Sequence, residues 1–402
     1  MDFELSARAV ELQGELMRFL SEHIKPAEPV YAAQVAASGN PHHVPEILGG
    51  LQAEARSRGL WNLFLPHETP WSTPLSNLDY APLAEITGWS FIAPEALNCS
   101  PPDTGNMELL SLFGTDEQKE QWLRPLLAGE IRSCFAMSEP DVASSDATNI
   151  SLKIERDGPE YVLNGRKWWI TGAADARNRV AFVLGRSNRD GARHQQHSIV
   201  LVPMDSPGVT VGESLETFGF TDRESHCEMT FENVRVPVTA LLGEEGGGFS
   251  VAQARLGPGR VHHSMRSIGQ AERALDLMCR RVTSRTAWGK PLSEQGVIRE
   301  WIARARIDIE QARLLTLKAA WLIDKVGAKG ARTEIASIKV VAQEMALRIV
   351  DRAIQAHGGA GVGSALPLTA MYSQLRWLQI GDGPDEVHLR SIARDELQRH
   401  TD

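Results

Sequence analysis

Three segments of this 402-residue chain bring reactive or ligand-holding groups together at short spacing. In Gly381-Asp382-Gly383-Pro384-Asp385-Glu386 two glycines flank a carboxylate. A carboxylate with so little bulk beside it can meet a ligand and take its proton. The same residues also read as a turn that caps a helix starting at Asp385 or Glu386. Residues 134–146 (CFAMSEPDVASSD) are short on bulk after Pro140 and rich in hydroxyls. They can offer amides and hydroxyls to an anion, or simply join two domains. The glycines of 358–363 (GGAGVG) would admit a planar or phosphate-bearing cofactor against the backbone. They lack the G-x-G-x-x-G spacing and follow a helical apolar repeat, Met345, Ile349, Ala353 and Ala356, where a Rossmann unit needs a strand. A glycine helix cap is the other reading. His262 and His263 are adjacent in a predicted helix, so their side chains diverge by about 100° and no metal site is expected. Cys99, Cys134, Cys227 and Cys279 lie in four separate segments, which suggests neither a zinc site nor a disulfide framework.

Up to about residue 125 the signals are helical, among them Thr115-Asp116-Glu117-Gln118, a capping box. From about 130 to 238 the pattern turns to strands. Residues 161–163 and 166–170 flank Asn164-Gly165 and predict a tight hairpin, since that pair supplies the positive φ angles of a type I′ turn. Strands are also expected at 179–184, 198–202 and 228–236. Beyond 240 the chain is helical again. Ile302, Ala305, Ile309, Ala312, Leu315, Ala319 and Leu322 alternate spacings of three and four, which makes one packing seam of a helix bundle. The expected organisation is α+β: an N-terminal helical domain (1–128), a middle β-barrel-like domain (129–240) and a C-terminal four-helix bundle (241–402), with 243–249 as the hinge into the bundle. Lys plus Arg number 42 against 51 Asp plus Glu, a net charge of −9 without a basic stripe, so no nucleic-acid partner is expected. No apolar run approaches the ~20 residues of a membrane span. Asp2 and Glu4 stand where a targeting peptide carries positive charge, so a cytoplasmic location is expected.

Taken jointly and in order, FAMSEPDVASSDATNI, YVLNGRKWWITG, FENVRVP, GGGF, RTAWGKPL, QAHGGAGVG and IGDGPDEVH resemble the acyl-CoA dehydrogenase family over roughly residues 80 to 398. EPDVASSD, RLGPGRVHH and the Asp of GDGPDE resemble most closely its family members ten and eleven. The resemblance implies one FAD per subunit, with an acyl-CoA thioester against its ring. It places Phe135, Met137 and Ser138 beside the flavin, and Trp169, Ile170 and Thr171 on the ring's other side. Ser145 or its neighbour Ser144 would contact the flavin phosphates, with Ser145 also meeting substrate. The loop is one residue longer than the common EPGAGSD pattern. Arg285 matches an arginine that binds the FAD diphosphate, and 355–359 match a Q-x-x-G-G segment around the adenosine half. Both are expected to serve a neighbouring subunit, hence a homodimer or homotetramer. Ala287, Gln295, Gln355, Gly358, Gly359, Pro384 and Glu386 complete the implied cofactor set.

Asp382 stands where the family carries its catalytic glutamate. The implied chemistry is removal of the α-proton of an acyl-CoA by that carboxylate while the β-hydride passes to flavin N5, giving a trans-2-enoyl-CoA. Electrons would go on to an electron-transfer flavoprotein. Aspartate is one methylene, about 1.5 Å, shorter than glutamate, so the loop would have to shift to compensate. Some relatives place the base just before an arginine; here that position is Gly259, preceding Arg260. Arg260 and Gly383 are the implied substrate contacts, with a helix-start salt bridge as the plainer role for Arg260. One of His262 and His263 would line the acyl pocket, and His357 would pack near the adenosine half or the subunit contact. Rival readings on the same scaffold are an acyl-CoA oxidase, a nitroalkane-oxidase-like enzyme and a 4-hydroxyacyl-CoA-processing enzyme. A flavin-free acyl-CoA-binding protein is the non-enzymatic one.

Overall fold

The computed structural model describes residues 2–188, 190–192, 195–221 and 225–401. The outer bounds of the expected domains, Met1 and Asp402, lie outside them. The elements run α1 (Ala7–Phe19), α2 (Lys25–Ser38), α3 (Glu46–Ser57), α4 (Asn77–Thr87), α5 (Ala93–Ala96), α6 (Asp103–Phe113), α7 (Asp116–Gln118) and α8 (Arg124–Leu127). The strands β1 (Arg132–Ala136), β2 (Lys153–Asp157), β3 (Glu160–Thr171), β4 (Asn178–Arg186), β5 (His197–Pro203), β6 (Val209–Ser214), β7 (His226–Pro237) and β8 (Leu241–Leu242) follow. Helix α9 (Gly248–Ser284), a ribbon of β9 (Thr286–Ala287) and β10 (Lys290–Pro291), then α10 (Gly296–Gly330), α11 (Arg332–His357), α12 (Leu368–Leu378) and α13 (Asp385–Gln398) complete the chain. This is the expected α+β order of helices, sheet and helices. By contacts the chain forms two compact units, one of residues 1–26, 76–94 and 257–402, the other of 27–75 and 95–256.

The second unit is built on an eight-stranded sheet ordered β6-β7-β3-β2-β4-β5-β8, with β1 added parallel to β4. Alternation along the strands sends Cys134, Leu163, Ile170, Val183, Val200 and Phe231 into one buried core. The Thr115 capping box forms as expected, its hydroxyl accepting from Gln118 N–H while the Gln118 side chain accepts from Thr115 N–H. The expected hairpin at Asn164-Gly165 does not: β3 runs straight through both residues, and the reversal occurs earlier, at Gly158-Pro159 between β2 and β3. Gly165 serves close approach instead of a tight turn, since a Cβ there would come within 2.9 Å of the Leu152 backbone. The register against β7 shifts at this point, marking a bulge.

In the first unit α9, α10 and α11 are the long helices; α4 packs on α10, α12 and α13 on α11, and α1 on α4. Of the seven seam residues, Ala305, Ile309, Ala312 and Ala319 are buried and Ile302, Leu315 and Leu322 half-buried. Arg313 draws α10 to its neighbours by binding Glu85 of α4 and Glu272 of α9. Among the described residues no helix is long and apolar enough to cross a membrane.

Candidate active site

In the sheet unit, Phe135 lies on β1, and the chain leaves the strand through Met137 and Ser138. Trp168 N–H donates to the Ser138 carbonyl at 3.0 Å, tying this exit to β3. The loop beyond is anchored by a pair that sequence reasoning missed, Lys167 and Glu139. Lys167 is fully buried, and its Nζ meets Glu139 Oε1 at 2.9 Å and donates to the Met137 carbonyl at 2.8 Å. Glu139 also accepts from Ser151 N–H, Ser151 Oγ–H and Leu152 N–H. Burial pulls the Lys167 ammonium down to about 8 against the opposing pull of Glu139. For Glu139, burial pushes the carboxyl up, yet Lys167 and the three donors outweigh it and hold it below the usual carboxylate range. The signal was available: Tyr161, Leu163 and Lys167 share one face of a strand by period-two spacing, and a lysine on a core-facing position requires a partner.

Ser144 is spent inside the loop, since its hydroxyl accepts from Glu139 N–H at 2.8 Å, whereas Ser145 is exposed. A second bulge against β7 lies between Lys167 and Ile170. Within it Trp169 takes a left-handed φ of 54°, rare for a bulky residue. Ile170 buries its side chain in the sheet core, leaving only its backbone for any ligand. Thr171 Oγ1 contacts His226 Nδ1 at 3.0 Å, and the His226 ring lies 5.7 Å from that of Trp169. A further unforeseen neighbour is Arg255 of α9, whose guanidinium stacks 4.5 Å from the Phe135 ring centre. Glu108 lies nearby on α6; burial pushes its carboxyl up to about 8 although the Arg255 charge opposes the shift.

In the helical unit, Asp382 sits in the turn between α12 and α13 with φ 56°. Left-handed backbone at a non-glycine residue costs of order 1–3 kcal/mol and persists where surrounding contacts fix it. Three do so here. Arg260 Nη2 donates to the Asp382 carbonyl at 2.9 Å, and His388 Nε2 lies 3.3 Å from the same oxygen. Lys339 Nζ, buried on α11, donates to the Gln379 carbonyl at 2.7 Å and pairs with Asp385 at 2.9 Å. Arg260 therefore grips this turn, from a position well inside α9 and not at its start. Gly383 follows at φ 98°, where a side chain would be strained and would press on His388. Pro384 is half-buried and Glu386 exposed in the first turn of α13. Burial, then the charges of Arg260 and Lys339, push the His388 imidazole down to about 4. Burial lowers Lys339 as well, against Asp385 and Asp382.

The expected adenosine-side residues also fall in this unit. Arg285 is exposed just past the end of α9, and Ala287 lies in the ribbon whose turn presents Trp288 at 90% exposure. Gln295 stands at the N-cap position of α10 without a side-chain capping bond and is half-buried. Gln355 is exposed in the last turn of α11, which Gly358 ends at φ 63°. A Cβ at Gly358 or Gly359 would meet nothing within 4 Å. Arg281 Nη2, 3.5 Å from the His357 carbonyl, ties the ends of α9 and α11 together. The His357 ring contacts its own helix, at Ala353. Among the described residues no group of three His, Cys, Asp or Glu side chains could hold a metal ion.

The chain matches the acyl-CoA dehydrogenase N-terminal domain over residues 6–130, the middle domain over 134–234 and the C-terminal domain over 246–397. It belongs to the acyl-CoA dehydrogenase family. It is 58% identical over 401 residues to the probable acyl-CoA dehydrogenase FadE2 of Mycobacterium tuberculosis, covering 99% of this chain and 98% of that one. It is 50% identical to acyl-CoA dehydrogenase family member 11 of Gallus gallus, covering 98% of this chain and 51% of that one, so it spans about half the length of that relative. A solved structure of a putative acyl-CoA dehydrogenase from Mycobacterium abscessus is 48% identical with a TM-score of 0.95, covering 99% of this chain and 100% of that one.

Proposed function

We propose that this protein is an FAD-dependent acyl-CoA dehydrogenase that converts an acyl-CoA thioester to its trans-2-enoyl-CoA with Asp382 as the base. The observation that carries the reading is the Asp382 turn: a carboxylate in strained backbone, fixed by three cationic or polar side chains from three helices. Strain of this kind concentrates where geometry serves chemistry. With its carbonyl held by Arg260, the turn presents the shorter aspartate side chain reproducibly, as removal of a proton from a fixed α-carbon requires.

The residues present fit FAD. Ser145 is free of the loop's internal bonding that engages Ser144, and a Cβ at Gly358 or Gly359 would meet no neighbour. Arg285 and Gln355 are exposed, as suits residues that serve the cofactor of a neighbouring chain. A guanidinium can donate two parallel bonds to a diphosphate. Bound FAD supplies the hydride acceptor. The chain removes the α-proton through Asp382, and Phe135, Met137, Ser138, Trp169 and Thr171 shape the ring's surroundings. The assembly is a homodimer or homotetramer of three-domain subunits (1–128, 129–240, 241–402), working in the cytoplasm with an electron-transfer flavoprotein as acceptor.

The test is a panel of acyl-CoAs of graded chain length added without oxygen to the FAD-loaded protein, read by loss of flavin absorbance. Bleaching by at least one acyl-CoA is expected, with slow peroxide formation in air. Rapid peroxide release would make the enzyme an oxidase, and a protein that takes up no FAD would refute the reading.

A further inference from the structure

Arg260 and His263 lie three residues apart on α9, hence on one face of the helix. Both meet the Asp382 turn, at different groups. Arg260 takes the carbonyl, whereas His263 Nε2 stands 3.6 Å from the carboxylate oxygen Oδ2. The pair is sheltered but open to water, with His263 17% and Asp382 29% exposed. His262, next in the chain, points elsewhere: it is buried edge-on against Tyr80, 4.8 Å between ring centres. The two adjacent histidines are thereby separated in role.

We propose that His263 is the positioning residue for Asp382: its imidazole, 3.6 Å from Oδ2, orients the carboxylate for the substrate's α-carbon, and its charge favours the ionised form. This rests on the reading of Asp382 as the base. A short side chain with two free rotations needs such a hold more than its backbone does. A misplacement of ~1 Å costs about a hundredfold in rate.

The charged and titratable groups around the pair narrow the source of any pH dependence. On α9 they are Arg260, His262 and Arg266, on α11 Lys339, and on α13 Asp385 and His388. His262 is held well below the ordinary histidine value by burial and by the neighbouring Arg266 and His263 charges. His388, pushed down to about 4, is neutral above pH 5 and addresses the Asp382 backbone. Lys339 is engaged by Asp385 and the Gln379 carbonyl. His263 is thus the histidine whose ring faces the Asp382 carboxylate itself.

Two measurements on the FAD-loaded protein test this. Without substrate, modification of His263 by diethylpyrocarbonate, followed against pH by peptide mass spectrometry, should show its midpoint fall by about one unit or more in Asp382→Asn, because an opposite charge within about 4–6 Å favours the protonated ring. An unchanged midpoint overturns the pairing. In turnover, His263→Ala should lower the plateau of kcat about ten- to a hundredfold. His263→Gln, which keeps an N–H donor and loses the charge, should stay within about tenfold of the wild-type plateau and carry its acid limb to higher pH, since the positive charge that favours the ionised carboxylate is gone. A purely structural histidine would leave that limb in place, and this result too overturns the proposal. Full turnover by Asp382→Asn would overturn the base assignment and this role with it, whereas the modification midpoint reports the contact independently.

Discussion

Replacing Lys167 by methionine should destabilise the sheet unit and loosen the loop assigned to the flavin ring. The substitution keeps roughly the length of the side chain and removes the ammonium from a site where Lys167 is fully buried and Glu139 is 3% exposed. Two contacts go, the 2.9 Å ion pair with Glu139 and the 2.8 Å bond to the Met137 carbonyl. Breaking a buried pair from one side costs about 3–5 kcal/mol, because the remaining charge stays buried. Glu139 keeps Ser151 N–H, Ser151 Oγ–H and Leu152 N–H, which places the expected loss near the lower end, about 3 kcal/mol. The double variant Lys167→Met/Glu139→Gln removes the stranded charge while keeping an acceptor for those donors, and should regain most of the loss. The assay is urea unfolding of both variants and the parent, with FAD affinity measured in parallel by quenching of flavin fluorescence. A Lys167→Met protein with the parent's urea midpoint and FAD affinity would refute the assignment of this pair as the loop's anchor.

Arg285→Lys should weaken FAD binding about tenfold or more while leaving the urea midpoint unchanged, because the exposed side chain loses bidentate geometry and no packing. Equal FAD affinity in the two proteins would remove Arg285 from the cofactor site. The depressed imidazole of His388 fixes a sign for acid stability. Between pH 6.5 and about 4 the unfolded chain binds a proton that the folded chain refuses, so stability falls as pH falls through that window. His388→Gln should flatten this part of the profile in thermal melts between pH 7 and 4.5, and an unchanged slope would contradict the burial argument.

Local chemistry that needs few neighbours was legible in the sequence. The Thr115 capping box, the apolar run from Met345 to Ala356 ended by a glycine cap, and the strands around Val183, Val200 and Phe231 follow from short-range pattern. Asn164-Gly165 misled because a turn dipeptide is also compatible with a bulge. What decides between them is the Leu152 backbone, a long-range contact absent from the local pattern. That the Ser144 hydroxyl is engaged by Glu139 N–H is likewise a contact the local pattern does not show. In the sheet unit Lys167 with Glu139 and Arg255 on Phe135, and in the helical unit Lys339 with Asp385, join residues far apart in the chain. Each leaves only a faint trace in sequence, a charge at a position whose neighbours are apolar. His263 and His262 were inseparable until the partners of α9 were known, since adjacency states that they diverge without stating what each faces.

The claim that Asp382 is the base is tested most directly by Asp382→Asn. The substitution preserves side-chain size and leaves the backbone contacts of Arg260 and His388 in place, so the protein should bind FAD as the parent does. Mixed anaerobically with an acyl-CoA that bleaches the parent, it should keep its flavin absorbance, with bleaching slowed at least about a hundredfold. Bleaching at the parent's rate would contradict the account and require a different group to take the α-proton.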